Sequence, residues 1–146
     1  REVCLPRLQA GFRRAGRDGE DFRLVLGPLT ATGRDEETVA AEWEKQRNLL
    51  GFLYSTPAYW PSQELFGWQD KGRQLQAMTR SGDWQAMRDV VTDEMLDKFV
   101  PRGTYDVIAD VYRQRYAGLT RRITFPMPGD PANDALAAAA IARLKQ

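Results

Sequence analysis

Apolar residues recur at helical spacing through the first fifteen positions. Cys4, Leu5, Leu8, Phe12 and Ala15 share one face, while Arg7, Arg13 and Arg14 lie outside it. Gly16 suits the position just past a helix end, so an amphipathic helix is predicted over residues 1–15. The period then changes. Residues 22–32, FRLVLGPLTAT, are apolar at nearly every position, which predicts a strand buried on both faces, as in parallel sheets covered by helices. Gly33 ends that strand, and Asp35 is placed to cap a helix running to about Tyr54. Its buried stripe is Val39, Trp43, Leu50 and Leu53, with Glu36 and Glu37 at the end where the helix dipole favours acids.

Residues 49–68, LLGFLYSTPAYWPSQELFGW, hold six of the fifteen aromatics and are interrupted by Pro57 and Pro61. A run this apolar and this broken does not span a membrane and has to cover something inside a fold. The pattern beyond it is helical in short pieces: 62–68, 71–79, 84–91 with Asp83 as N-cap, and 93–99 with Thr92 as N-cap. Pro101 and Gly103 close that segment. Thr104 is then placed to cap a helix over 105–116, residues 122–127 read as a second strand, and Asp130 and Pro131 fit the start of a last, Ala-rich helix. The two strand candidates lie about ninety residues apart. A lone parallel pair leaves edges and faces uncovered, which predicts strand neighbours from elsewhere, either another chain or the rest of a larger α/β protein. The start at Arg1, inside a helical pattern, agrees with a segment of something longer.

Composition narrows the chemistry. Twenty-one Lys and Arg against 20 Asp and Glu give a net charge of +1, which supplies no footprint for nucleic acid or an anionic membrane. One cysteine, Cys4, rules out an internal disulfide framework, and a cytoplasmic, reducing setting is the expectation. Histidine is absent. A Ser-His-Asp triad, a Cys-His dyad and a His-based zinc site therefore cannot be built from this chain, and no metal or catalytic residue is assigned.

Gly11, Gly16 and Gly19 match neither the dinucleotide nor the P-loop spacing and precede a strand where such motifs follow one. Asp93 and Asp97 share a helix face, a like-charge pair if buried, but acids at a helix start also serve the dipole. The C-terminal ends of the strands carry more weight, because ligands gather there in open α/β sheets and barrels. Backbone amides at Thr32 and Gly33 after the first strand, and at Met127 and Gly129 after the second, could receive an anionic group, with ordinary strand-to-helix turns as the alternative. Aromatic rings suit a planar ring system such as a flavin, so Phe52, Tyr59, Trp60 and Trp68 are candidate ligand-facing residues, with pinning of the inserted helices as the alternative.

Several pieces in succession resemble a known family: AGRDGEDF (15–22), STPAYWP (55–61), FGW (66–68), SGDW (81–84), TDEMLDKF (92–99), the pair Gly103 and Thr104, and RYAGL (115–119). Together they are similar to the C-terminal part of luciferase-like monooxygenases, in the branch that uses the deazaflavin coenzyme F420. The resemblance implies the C-terminal portion of a (β/α)8 barrel with a helical insertion before the last strand. Residues 1–54 would be barrel helix, strand and helix, with 22–32 the seventh strand. Residues 55–103 would be the insertion, and 104–146 the following helix, the eighth strand at 122–127 and the last helix. It further implies hydride transfer between coenzyme F420 and a small organic substrate. The histidine and acid of that chemistry would lie upstream and this segment would form pocket wall. The strand ends at Thr32, Gly33, Met127 and Gly129 would border the coenzyme, and the STPAYWP loop, with the rings of Phe52, Tyr59, Trp60 and Trp68, would shape the substrate side. A homodimer is expected. An FMN-dependent monooxygenase of the same fold is the near alternative. A non-enzymatic helical interaction or ligand-binding module is the distant one.

Overall fold

The computed structural model describes residues 1–146. Helix α1 spans Cys4–Arg14, and strand β1 spans only Val25–Leu26. After a turn through Gly27 and Pro28, strand β2 takes up Ala31–Gly33. The continuous strand expected over 22–32 is therefore two strands. Pro28 lacks the N–H that a ladder needs, and the two halves pair with different partners. Burial differs as well: β2 is wholly buried, whereas Val25 on β1 is 52% exposed, so burial on both faces holds only for the second half.

Helix α2, Glu36–Tyr54, starts where the pattern placed it. Asp35 accepts a hydrogen bond from the Thr38 backbone N–H at 2.8 Å, and Val39, Trp43 and Leu50 are buried along the helix. A 3-10 turn at Pro57–Tyr59 leads into α3 (Trp60–Glu64), α4 (Gln69–Ser81), α5 (Met87–Val90) and α6 (Asp93–Phe99). Thr92 caps α6 by accepting from Met95 N–H at 3.3 Å. Asp83 caps nothing and instead receives the Ser81 hydroxyl at 2.7 Å, which is why the expected helix over 84–91 shrinks to a single turn.

Strand β3, Arg102–Thr104, falls inside the stretch expected to close the insertion. It pairs in parallel with β2, Ala31 against Arg102 through Gly33 against Thr104. Thr104 is thus a strand residue and not a helix cap, and α7 begins later, at Ile108–Tyr116. Strand β4 keeps only Arg122–Ile123 of the expected 122–127 and pairs in parallel with β1. The ladder runs one step further, where Thr124 N–H donates to Leu26 C=O at 2.8 Å. A 3-10 turn at Pro131–Asn133, capped by Asp130 onto Ala132 N–H at 2.9 Å, opens α8, Asp134–Leu144. The fold is mixed α/β, with two short parallel sheets among eight α-helices, and no helix is long and apolar enough to cross a membrane.

Two apolar cores result. One gathers Ala31, Trp43, Leu50, Leu75, Met95, Leu96 and their neighbours between α2, the inserted helices and β2. The other joins Tyr105, Ile108 and Tyr112 to Ala137 and Ala140 of α8, with Ile123 and Phe125 against it. Small alanines let α8 approach α7 closely, so the Ala-rich run contributes proximity where it lacks bulk. Arg47 ties α2 to the start of α6 by donating to the Val91 carbonyl at 2.5 Å and pairing with Glu44 and Asp93.

Asp35 offers a test of the α2 start. The hydrogen bond from the Thr38 hydroxyl, then that from its backbone N–H, then Arg34, hold its carboxyl at about 2. Its folded value lies below the unfolded one of about 3.9. The stabilisation is therefore complete above about pH 4 and lost as pH falls through about 2. Asp35→Ala should melt below the parent at pH 7, and the gap in melting temperature should close between pH 4 and 2. A gap that stays constant across that range would show that the carboxylate does not act as the cap.

Candidate functional site

One cavity of about 390 Å³ lies where the segments after β3 and β4 meet one face of β2 and of α2. Thr32 enters it from β2 and Thr30 from the position just before that strand, and Tyr105 comes directly after β3. Residues 126–130 supply the loop after β4, Asn133 the turn that opens α8, and Thr38, Glu42 and Lys45 one face of α2. β2 and β3 are locked at this end, because Tyr105 N–H donates to Gly33 C=O at 2.9 Å. A second cavity of about 920 Å³ lies between α1, residues 22–24 and residues 118–122. It sits at the N-terminal ends of β1 and β4, the side of a parallel sheet where ligands do not usually gather.

Side-chain chemistry in the strand-end cavity is polar and unevenly satisfied. The Thr30 hydroxyl donates to the Pro28 carbonyl at 3.1 Å and meets the Tyr112 hydroxyl at 2.5 Å. Since its single proton goes to Pro28, Tyr112 is the donor of the shorter bond. Burial pushes the Tyr112 phenol up to about 12, which keeps that proton in place. Thr32 is different: 7% exposed, its hydroxyl oxygen has no hydrogen-bond partner. The Tyr105 phenol is pushed upward, first by burial and then by the carboxylates of Glu42 and Asp134. Lys45 pairs with Glu42 at the rim.

Of the four candidate cofactor residues, Thr32, Met127 and Gly129 line this cavity. Gly33 stands beside it with another task. A Cβ there would come within 2.5 Å of Thr38 Cγ2, so its lack of a side chain lets β2 approach the first turn of α2. The four aromatic candidates do not line either cavity. Phe52 and Tyr59 are exposed, Phe52 lying 6.4 Å from the Trp84 ring. Trp60 Nε1 donates to Tyr54 C=O at 3.0 Å, and Trp68 stacks at 4.8 Å on Phe66 and packs edge-on against Phe99. Tyr105, Glu42 and Asn133 escape sequence reasoning. Tyr105 becomes visible only once Arg102–Thr104 is read as a strand, and that tripeptide has no apolar alternation to announce it.

A mixed α/β chain with a polar cavity beside the carboxyl ends of parallel strands has the arrangement in which small ligands gather in α/β proteins. The luciferase-like monooxygenase family matches residues 2–122, and the chain belongs to that family. It is 37% identical over 122 residues to the uncharacterized protein Rv1360 of Mycobacterium tuberculosis (strain H37Rv), and equally to the uncharacterized protein Mb1395 of Mycobacterium bovis. The match covers 84% of this chain but 36% of each relative, so the chain spans about a third of their length. No solved structure matches it.

Two substitutions separate the roles of neighbouring residues. Thr32→Val keeps the shape and removes an unpartnered buried hydroxyl, so without ligand it should raise the melting temperature by roughly 2–4 °C, about 1 kcal/mol. A lowered melting temperature would mean that the hydroxyl is satisfied. Gly33→Ala should destabilise by about 1–3 kcal/mol in denaturant titration through the clash with Thr38, which is stiff because it branches at Cβ. A neutral result would mean that the β2–α2 approach is loose.

Proposed function

We propose that this chain is part of a coenzyme-dependent oxidoreductase in which its strand-end cavity borders coenzyme F420, with hydride passing between the coenzyme and a small organic substrate. Convergence of the ends of β3 and β4 with one face of β2 on a polar cavity, in a chain of the luciferase-like family, is the observation that carries this reading. The residues present fit a bordering role: hydroxyl, amide and charged groups surround the cavity and the Thr32 oxygen has no partner. Glu42, Asp130, Lys45 and Tyr105 are read as lining, and none of them is assigned as the acid or base. The deazaflavin, when bound, supplies the hydride chemistry. The chain's own contribution is to orient and enclose, with Thr32, Tyr105 and the 126–129 loop holding one edge of the group. The aromatic stretch at the far end of α2 is proposed as the substrate side of a larger pocket, with Phe52 and Tyr59 open to it and Trp60 and Trp68 holding the helices behind it. FMN in place of F420 is the second reading, since a polar border of this kind serves either coenzyme.

Separate titrations of the labelled 146-residue chain with F420 and FMN, followed by amide NMR, test this. The expected result is weak binding, in the millimolar range, with shifts centred on Thr32, Tyr105, Met127 and Gly129, larger for F420. Shifts confined to residues elsewhere, or none with either coenzyme, would sink the assignment. Micromolar affinity with turnover by this chain alone would contradict the view that it is one part of the site.

A further inference from the structure

Resting on the reading of the strand-end cavity as a binding site, we infer that this cavity takes a neutral polyhydroxylated group, a polyol chain or a sugar, and not a phosphate. The argument begins with charge. Two carboxylates, Glu42 and Asp130, line the cavity against one ammonium, Lys45, and that ammonium is already paired with Glu42. A phosphate carrying nearly two negative charges would meet net negative walls. The place where a helix might receive an anion is closed as well, because the turn that opens α8 has its Ala132 N–H bonded to the Asp130 carboxylate at 2.9 Å.

Hydrogen-bonding capacity points the same way. Thr32 brings a buried hydroxyl without a partner, and Tyr105 and Asn133 line the cavity with it. These groups donate and accept, whereas Glu42 and Asp130 only accept. A hydroxyl-bearing ligand answers both kinds, donating to the carboxylates and accepting from Asn133, Thr32 and Tyr105. A phosphate at neutral pH answers mainly donors and leaves the carboxylates opposed. The cavity's 390 Å³ lies within the roughly 300–1,000 Å³ usual for small-ligand sites. A metal ion is the poorer occupant, since no group of three or more acidic, Cys or His side chains is poised for one.

Such a group has two sources: the polyol side chain of a flavin-type coenzyme, or a sugar-like substrate. Amide NMR titrations of the 146-residue chain with ribitol, glucose and inorganic phosphate, run separately at up to molar concentration and constant ionic strength, distinguish them. Saturable shifts at Thr32, Tyr105 and Asn133 with ribitol or glucose, and none with phosphate, are expected. Preference for ribitol points to the coenzyme chain, and preference for glucose to a sugar. Thr32→Val should weaken the preferred polyol at least fivefold, and Thr32→Ser, which restores the hydroxyl, should recover most of it. Saturation by phosphate and not by polyols would overturn the inference. If F420 or FMN shifts these amides while ribitol and glucose do not, the inference falls and the coenzyme reading stands. If polyols bind and neither coenzyme does, the coenzyme reading falls and a sugar site remains.

Discussion

Alternation along a three-residue strand sets the rest of the molecule in place. Successive side chains of a strand point to opposite faces. Ala31 therefore enters the core built by α2 and the inserted helices, while Thr30 and Thr32 on either side of it face Tyr112 and the cavity. β2 thus belongs to two packing units at once, and β3 closes its open edge by three register pairs. A slip of one residue would put a hydroxyl in the first core and a methyl at the site. Two contacts resist that slip: the Thr30–Tyr112 bond on one face and the fit of Gly33 against Thr38 on the other.

Legibility followed the strength of local signals. Helices α2 and α6 were readable to the residue, because Asp35 and Thr92 are capping side chains just ahead of helical patterns, and both make their bonds. Strands were readable only as apolar density. The run 22–32 is dense enough to suggest one long strand, yet Pro28 interrupts the ladder and two short pieces form on either side. β3 gave no such signal. Arg-Gly-Thr becomes a strand because β2 offers it an edge, a tertiary cause that no three-residue window contains. The shortening of the helix over 84–91 is local instead, since Asp83 takes the hydroxyl of Ser81, two residues before it, in place of a helix N–H.

The candidate site divides along the same line. Reasoning from strand ends reached Thr32, Met127 and Gly129, because each adjoins a strand that composition revealed. Tyr105, Glu42 and Asn133 depend on the hidden strand and on which face of α2 turns inward. Glu42 and Lys45 look like an ordinary surface pair on the helix, and only the approach of the 126–130 loop makes them a cavity rim. The aromatic residues were conspicuous by type, but type does not say where a ring points. Trp60 spends its N–H on the Tyr54 carbonyl and fills the space beside Gly72, where a Cβ would come within 2.6 Å of its ring nitrogen.

Helix α2 explains why these two conspicuous regions do not meet. It carries Thr38, Glu42 and Lys45 along its first half and receives the Trp60 bond on Tyr54 at its end. Between Lys45, the cavity residue farthest along it, and Tyr54 an α-helix advances about 14 Å, a distance that places the bond on Tyr54 beyond the cavity. The helix is also stiffly held, with Val39, Trp43 and Leu50 buried along it and Arg47 tied to the Val91 carbonyl. Strand ends and aromatic stretch are therefore fixed to one rigid rod at a set separation. A ligand that engaged both would have to be long, or its two parts would have to belong to different molecules. The proposed coenzyme at the strand ends and a separate substrate at the aromatic end would satisfy the second condition, with their spacing set by the packing of α2 rather than by any contact between the two regions.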